Sequence, residues 1–283
     1  MFRHAPLPSK GAAALALFAA AAAGPAESAA PVPAEPSVTY ADLVDLADRA
    51  PVVLRAQVAR VAVVEPVRSI GLRPGWVRLY VEARTKTLLA GMPLTGAALR
   101  YLVDAPLDAK GKPPKLGRGD VLLFGRSVPG RPGDLQLVAP DAQLLWGPVT
   151  EQRLRGVLGE LLIPGAPGRI NGVREAIYVP GNLAGEGETQ MFLDTASGEP
   201  ASASVVHTPG ALPRWSVSFS EVVDTSGEPP ARETLAWYRL ACFLPARLDD
   251  TINVSATPED RAQAEQDYAL VRSSLGPCPR ERK

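Results

Sequence analysis

His207 is the one histidine beyond the first ten residues. A Ser-His-Asp hydrolase would use it as base, with Asp194 and one of Ser202, Ser204 or Ser218 from the same half of the chain. Such a site needs an imidazole that takes the serine proton and a carboxylate that holds the ring. None of these serines sits in a G-x-S-x-G turn. The candidate catalytic set is therefore His207, Ser204 and Asp194, and the plainer reading of His207 is a strand-end residue. The segment Gly185-Glu186-Gly187-Glu188, together with Asp194, is the densest acidic patch beside a glycine turn. Glu186, Glu188 and Asp194 are the candidate metal ligands, because hard cations take carboxylate oxygens. Glu186 and Glu188 are also the candidate carboxylate pair of a glycosidase, although an i, i+2 spacing does not set the separation that chemistry needs. The spacing matches no calcium loop, so a solvated turn is the plainer reading.

Four basic residues, Lys110, Lys112, Lys115 and Arg118, share one polar stretch without aromatic neighbours. They read as a solubilising loop, or as a contact for anionic polymers of the cell envelope through long-range attraction. No phosphate-binding glycine loop of either common pattern is present. Lys plus Arg equal Asp plus Glu at 30 each, without the basic excess of a nucleic-acid binder. No cofactor is expected. Trp76 falls on the charged side of its predicted strand, as a solvent-side cover or a binding aromatic. Cys242 and Cys278 are the only cysteines of the 283 residues. An even count in an exported chain predicts a Cys242–Cys278 disulfide.

Export is read from the N-terminus. Arg3, His4 and Lys10 precede the uncharged, alanine-rich run from Gly11 to Gly24, and small residues around Ala26 to Ala30 follow. This is the pattern of a secretory signal peptide over residues 1–30, with a flexible Ala/Pro-rich lead over 31–37. No later stretch is apolar over the length of about 18 residues that a spanning helix needs, so no transmembrane segment is expected in the mature chain.

Elements that would position these residues follow from periodicity. Pro51 to Val64 alternates at period two, and the phase flips past Arg60. A strand changes face only through an extra residue, which predicts a β-bulge near Ala59-Arg60. Trp76 to Leu89, Ala98 to Asp104, Asp120 to Gly125 and Asp134 to Ala139 read as four more strands, the second of these five with one charged, solvated face. Thr39 to Arg49 reads as a short helix, and Thr150 to Ile163 as a linker helix capped by Thr150. The second half again reads as strands: Val173 to Val179, Glu188 to Thr195, Ala201 to Thr208, Trp215 to Val223 and Thr234 to Leu244. A C-terminal helix starts at Thr257-Pro258-Glu259-Asp260, where a cap, a proline and two acids coincide.

A short helix leads into Ala50-Pro51-Val52-Val53-Leu54, a charged strand ends in Leu88-Leu89-Ala90-Gly91, and Gly119-Asp120-Val121-Leu122-Leu123-Phe124 follows. These patterns, over about residues 38 to 146, resemble the OB-fold modules of the netrin and tissue-inhibitor-of-metalloproteinase type. The whole chain also resembles exported proteins of Gram-negative bacteria. The first resemblance implies a five-stranded barrel that binds or interacts. The animal inhibitors of that type depend on an N-terminal cysteine, which this half lacks, so metalloproteinase inhibition is not carried over.

The expected fold is mostly β with a few helices. An OB-like five-stranded barrel over 38–148 is followed by a linker helix within 149–168. An antiparallel β-sandwich or second small barrel with a C-terminal helix then covers 169–283. The expected role is that of a non-catalytic binding or scaffolding protein, periplasmic or secreted, whose partner is an envelope protein or polymer and not nucleic acid. The rival readings are an inhibitor of an envelope protease and a hydrolase using His207.

Overall fold

The computed structural model describes residues 38–92, 98–220 and 227–282, together with Met1. The expected signal peptide and lead lie outside the described residues apart from Met1, as does the end of the strand expected over Trp215 to Val223. The chain is mostly β, with two antiparallel sheets and four α-helices among the described residues. Pro36–Lys283 form one packed unit with a continuous apolar core.

Helix α1 (Tyr40–Ala47) opens the unit. Thr39 accepts the Asp42 N–H and Asp42 answers to the Thr39 backbone, a reciprocal cap that satisfies two otherwise orphaned donors. Strand β1 (Val52–Val63) then runs through the middle of the first sheet, whose order is β3-β2-β1-β4-β5, with β6 also pairing β4. The partners are β2 (Trp76–Ala90), β3 (Ala98–Pro106), β4 (Asp120–Ser127), β5 (Leu135–Leu137) and β6 (Gln143–Leu145). The β1–β2 register slips between Val58 and Arg60, at the predicted bulge. The bulge marks a change of company: β4 follows β1 only as far as Gln57, and past Ala59 only β2 continues alongside it. Two further slips, at Val53/Leu54 and Arg55/Ala56, add curvature to the same ribbon. The concave face buries Leu54, Ala56, Val58, Leu79, Val81, Leu99, Val103, Val121 and Leu123.

This curved sheet does not close as a barrel. Strands β3 and β5 run parallel but meet at a single bridge, Arg100 to Asp134. The Arg100 N–H donates to Gly133 O at 2.7 Å, and the Asp104 N–H to Pro140 O at 2.7 Å. Four residue steps of β3 are thus set against seven of the facing chain, so the β5 segment must bow away between two pinned ends.

Helix α2 (Pro148–Leu162) follows, packed on α1. Gly147, not Thr150, is its N-cap; Pro148 sits where its missing N–H costs nothing, and Thr150 is buried. The second sheet has order β10-β9-β8-β7, from β7 (Ile170–Pro180), β8 (Gly187–Thr195), β9 (Ser202–His207) and β10 (Arg214–Ser218). It is neither a sandwich nor a second barrel among the described residues. Helix α4 (Pro258–Leu275) packs on β7 and β8 and takes the place of an opposing sheet. The segment expected as a strand over Thr234 to Leu244 is instead helix α3 (Leu235–Ala241). Its run Leu-Ala-Trp-Tyr-Arg-Leu-Ala has no glycine, proline or β-branched residue, and Thr234 caps it by accepting the Trp237 N–H at 3.3 Å. Six of the seven residues are buried, and a short element buried all round has no polar face to reveal its period.

Candidate functional site

A large concavity is built where the first sheet fails to close. Along β2, Val77, Leu79 and Val81 point into the core, which turns Arg78 and Tyr80 outward. Along β3 the same alternation buries Leu99, Tyr101 and Val103 and turns out Arg100 and Leu102; Asp104 shares their face but is buried. Tyr80 stands opposite Leu102 and Arg78 opposite Asp104 in the ladder. The far wall is the bowed segment from Asp134 to Pro140; Arg126 reaches the groove from β4, opposite Gln136, and Arg68 and Arg131 reach it from turns. The cavity measures about 850 Å³.

Charge in the groove is unbalanced. Its lining carries five arginines against Asp104 and Asp134. Both carboxylates are already engaged. Arg78 forms a two-point pair with Asp104, through Nε at 2.7 Å and Nη2 at 2.8 Å, and this pairing raises the Arg78 pKa. Arg100 meets Asp134 at 2.7 Å. Among the described residues, Arg68, Arg126 and Arg131 have no carboxylate partner. A guanidinium stays charged at any working pH, so the groove holds a fixed positive excess. Between the charges lie the Tyr80 ring, Leu102, which is 51 % exposed, and Val128. Tyr101 closes the floor; burial raises its pKa, and its hydroxyl donates to Gln143 Oε1 at 2.6 Å. These groups can hold an anion and cover an apolar body beside it.

The residues singled out from sequence lie elsewhere. His207 ends β9 with its Nε2 2.9 Å from both oxygens of Asp267, a carboxylate on α4 only 2 % exposed. Asp267 also accepts from the Thr189 hydroxyl and from Gln263 Nε2 at 3.0 Å. Histidine and carboxylate therefore do meet, but through Asp267 and not Asp194. Ser204 is three positions before His207 on one strand, hence on the opposite face of the sheet. Its buried hydroxyl has no hydrogen-bond partner among the described residues. Ser202 is on the Ser204 face of β9, and Ser218 lies on the edge strand β10. Asp194 is exposed near the far end of β8, opposite Gly172. The set His207, Ser204 and Asp194 is not assembled.

The acidic residues are also kept apart. Glu186 folds back over its own turn and accepts the Asn182 and Leu183 N–H groups, each at 3.1 Å. Glu188 accepts from Gln190 at 3.0 Å. Among the described residues, no group of three histidine, cysteine or acidic side chains could hold a metal ion. Lys110, Lys112, Lys115 and Arg118 are exposed, and none lines the groove. Trp76 is half-buried beneath Arg73, whose guanidinium stacks 4.0 Å above the ring. Cys242 and Cys278 form a disulfide with a Cα–Cα distance of 5.2 Å, but Cys242 caps helix α3 and does not end a strand.

Sequence reasoning missed the groove. Its arginines are spread from Arg68 to Arg131, so no local window shows a cluster. The available signal was the outward phase of Arg78 and Tyr80 on β2, set beside that of Arg100 and Leu102 on β3. Compared with known proteins, the chain matches no family model and no curated sequence.

Proposed function

We propose that this chain is a non-catalytic binding protein of the bacterial envelope, and that it holds an anionic ligand with an apolar part between β3 and β5. One observation carries the reading: Arg68, Arg126 and Arg131 surround a partly apolar groove of about 850 Å³ whose carboxylates are already paired to other arginines. Like charges gathered in a concave site repel one another and raise the local concentration of an opposite charge. Guanidinium groups bind phosphate or carboxylate by two parallel hydrogen bonds, and Tyr80 and Leu102 offer a surface for a ring or chain. The resemblance of residues 38 to 146 to netrin-type modules points the same way. Support for an envelope location comes from the leader-like N-terminus and from the disulfide, which suits an oxidising compartment. Among the described residues no helix is long and apolar enough to cross a membrane.

The test uses dodecyl phosphate below its micellar concentration as probe, with calorimetric titration. The wild-type protein binds it and ignores dodecyltrimethylammonium, which has the same chain and the opposite charge. Arg126→Ala with Arg131→Ala weakens binding by roughly tenfold or more, because charged hydrogen bonds contribute about 1.5–3 kcal/mol each. Equal binding of the two amphiphiles, or no loss in the double variant, refutes the reading.

A further inference from the structure

The turn between β1 and β2 holds apolar side chains in water by construction. Val67 is 77 % exposed and Ile70 is 87 % exposed, and Val63 at the strand end is 55 % exposed. This is not a slack loop. Pro66–Arg68 form a 3₁₀ turn, with the Arg68 N–H donating to Glu65 O at 2.9 Å and the Ser69 N–H to Pro66 O at 3.0 Å. The buried Ser69 donates its hydroxyl to Glu65 O at 3.1 Å, and Arg78 Nη1 reaches Ile70 O at 3.4 Å. The turn is thus fixed from both sides while Val67 and Ile70 project from it.

The charges around this tip have one sign in excess. Arg68 and Arg73 share the turn with Glu65, and Arg60 stands lower on β1, opposite Glu82 in the ladder; Arg60 and Arg68 are exposed and, among the described residues, in no ion pair. Apolar residues that project among arginines fit a surface that is itself apolar beneath an anionic skin. A protein partner would need an acidic rim and an apolar hollow of matching shape, whereas a bilayer of anionic lipid offers both layers everywhere.

We propose that the β1–β2 turn is a membrane-docking wedge, with Val67 and Ile70 entering the interfacial layer of an anionic bilayer and Arg60 and Arg68 resting on its headgroups. Arg68 also lines the groove, so docking by this turn faces the groove's end toward the lipid surface. The wedge does not depend on the groove having the ligand proposed above.

The experiment is co-sedimentation of the disulfide-bonded protein with phosphatidylcholine vesicles, with and without phosphatidylglycerol. Wild-type protein sediments with the phosphatidylglycerol vesicles at low salt and stays in solution with phosphatidylcholine alone. Val67→Asp with Ile70→Asp lowers the partition coefficient roughly tenfold or more, since the buried apolar area is lost and anionic repulsion is added. Val67→Ser with Ile70→Ser, which adds no charge, lowers it as well, and serves alone if the aspartate pair shifts the thermal midpoint. Both variants keep wild-type affinity for dodecyl phosphate, and this separates the wedge from the groove. Failure of the wild-type protein to bind the anionic vesicles overturns the proposal. Undiminished binding by the serine variant also overturns it, whatever the groove does.

Discussion

Asp48→Asn tests how the end of helix α1 is held to helix α3. Asp48 follows α1, and its Oδ2 accepts from Arg239 Nη1 at 2.7 Å and from Arg169 Nε at 2.6 Å. Arg239 belongs to α3 and its side chain is 4 % exposed, whereas that of Arg169 is 47 % exposed. Substitution leaves the exposed arginine to water and to the Asp48 backbone carbonyl, which Arg169 Nη2 still reaches at 2.8 Å. It leaves the buried one with the Pro167 carbonyl at 3.0 Å and the face of Tyr238 at 5.5 Å. Removing one partner of a buried pair costs about 3–5 kcal/mol, mostly the penalty of the charge left behind. The lower end, about 3 kcal/mol, applies here, because the Pro167 carbonyl remains. Burial by itself would push the Asp48 pKa up, but the hydrogen bonds from Arg239 and Arg169 outweigh it and hold the group below its ordinary value. A carboxyl depressed in the folded state stabilises fully above its unfolded pKa of about 3.9. That stability is lost as pH falls through the lower folded value. Urea unfolding at neutral pH and at steps below pH ~4 is therefore the assay. The wild type loses its advantage over Asp48→Asn on acidification, and Asp48→Asn with Arg239→Met recovers most of the neutral-pH loss. A difference under about 0.5 kcal/mol at neutral pH, the size of an ordinary surface substitution, or one that does not change with pH, refutes the argument.

Two further substitutions separate structure from function. His207→Ala removes a donor to the buried Asp267 and lowers stability by about 1–3 kcal/mol, read by urea unfolding, while dodecyl phosphate affinity stays the same. A folded His207→Ala protein that loses the ligand would place His207 in the binding machinery. Cys242→Ala with Cys278→Ala opens a loop of sequence separation 36 and costs about 4 kcal/mol in the chain-entropy account. Hydrogen exchange then rises first in α4 and in the tail after Gly276; a rise confined to the first sheet would contradict this.

The features legible in the sequence were those written along one strand or fixed by count. The bulge near Ala59 shows because period-two alternation breaks visibly there. The disulfide shows because two cysteines leave one pairing. The C-terminal helix shows because Thr257, Pro258 and Asp260 satisfy the same helix end by three different means. Helix α3 did not show, because Trp237, Tyr238 and Leu240 are all buried and their order fits either period. The closure of the barrel was over-read. Local patterns specify strands, but whether β3 and β5 zip together depends on seven residues bowing against four. His207 reads from the sequence as a strand-end residue, and the carboxylate considered beside it is the one near in sequence, Asp194. Asp267 lies 60 residues on, on a helix whose docking over this sheet no local pattern reports.

Three acids of α1 and its C-cap tie this helix to α3 and to the segment after α4. Asp42, Asp45 and Asp48 recur at three-residue spacing, so they present one side of α1 and its cap to the same neighbours. Asp48 takes Arg239 and Arg169. Asp45 accepts the hydroxyl of Tyr238 and Arg280 Nε at 2.6 Å, and Asp42 accepts the Glu281 N–H at 3.0 Å. The tail that reaches them starts at Cys278, so the disulfide fixes where the tail begins and α1 fixes where it lies. Its last described residue, Arg282, meets Asp141 at 3.0 Å, the carboxylate that also faces Arg73 at 3.6 Å. Asp141 follows Pro140, whose carbonyl pins β3 at one end of the groove. A continuous run of contacts thus leads from Cys278 through the tail to the edge of the binding cleft. Its first link is covalent and its others are ion pairs and hydrogen bonds, so reducing conditions would loosen the groove's end before the core that Leu54, Leu79 and Leu123 provide.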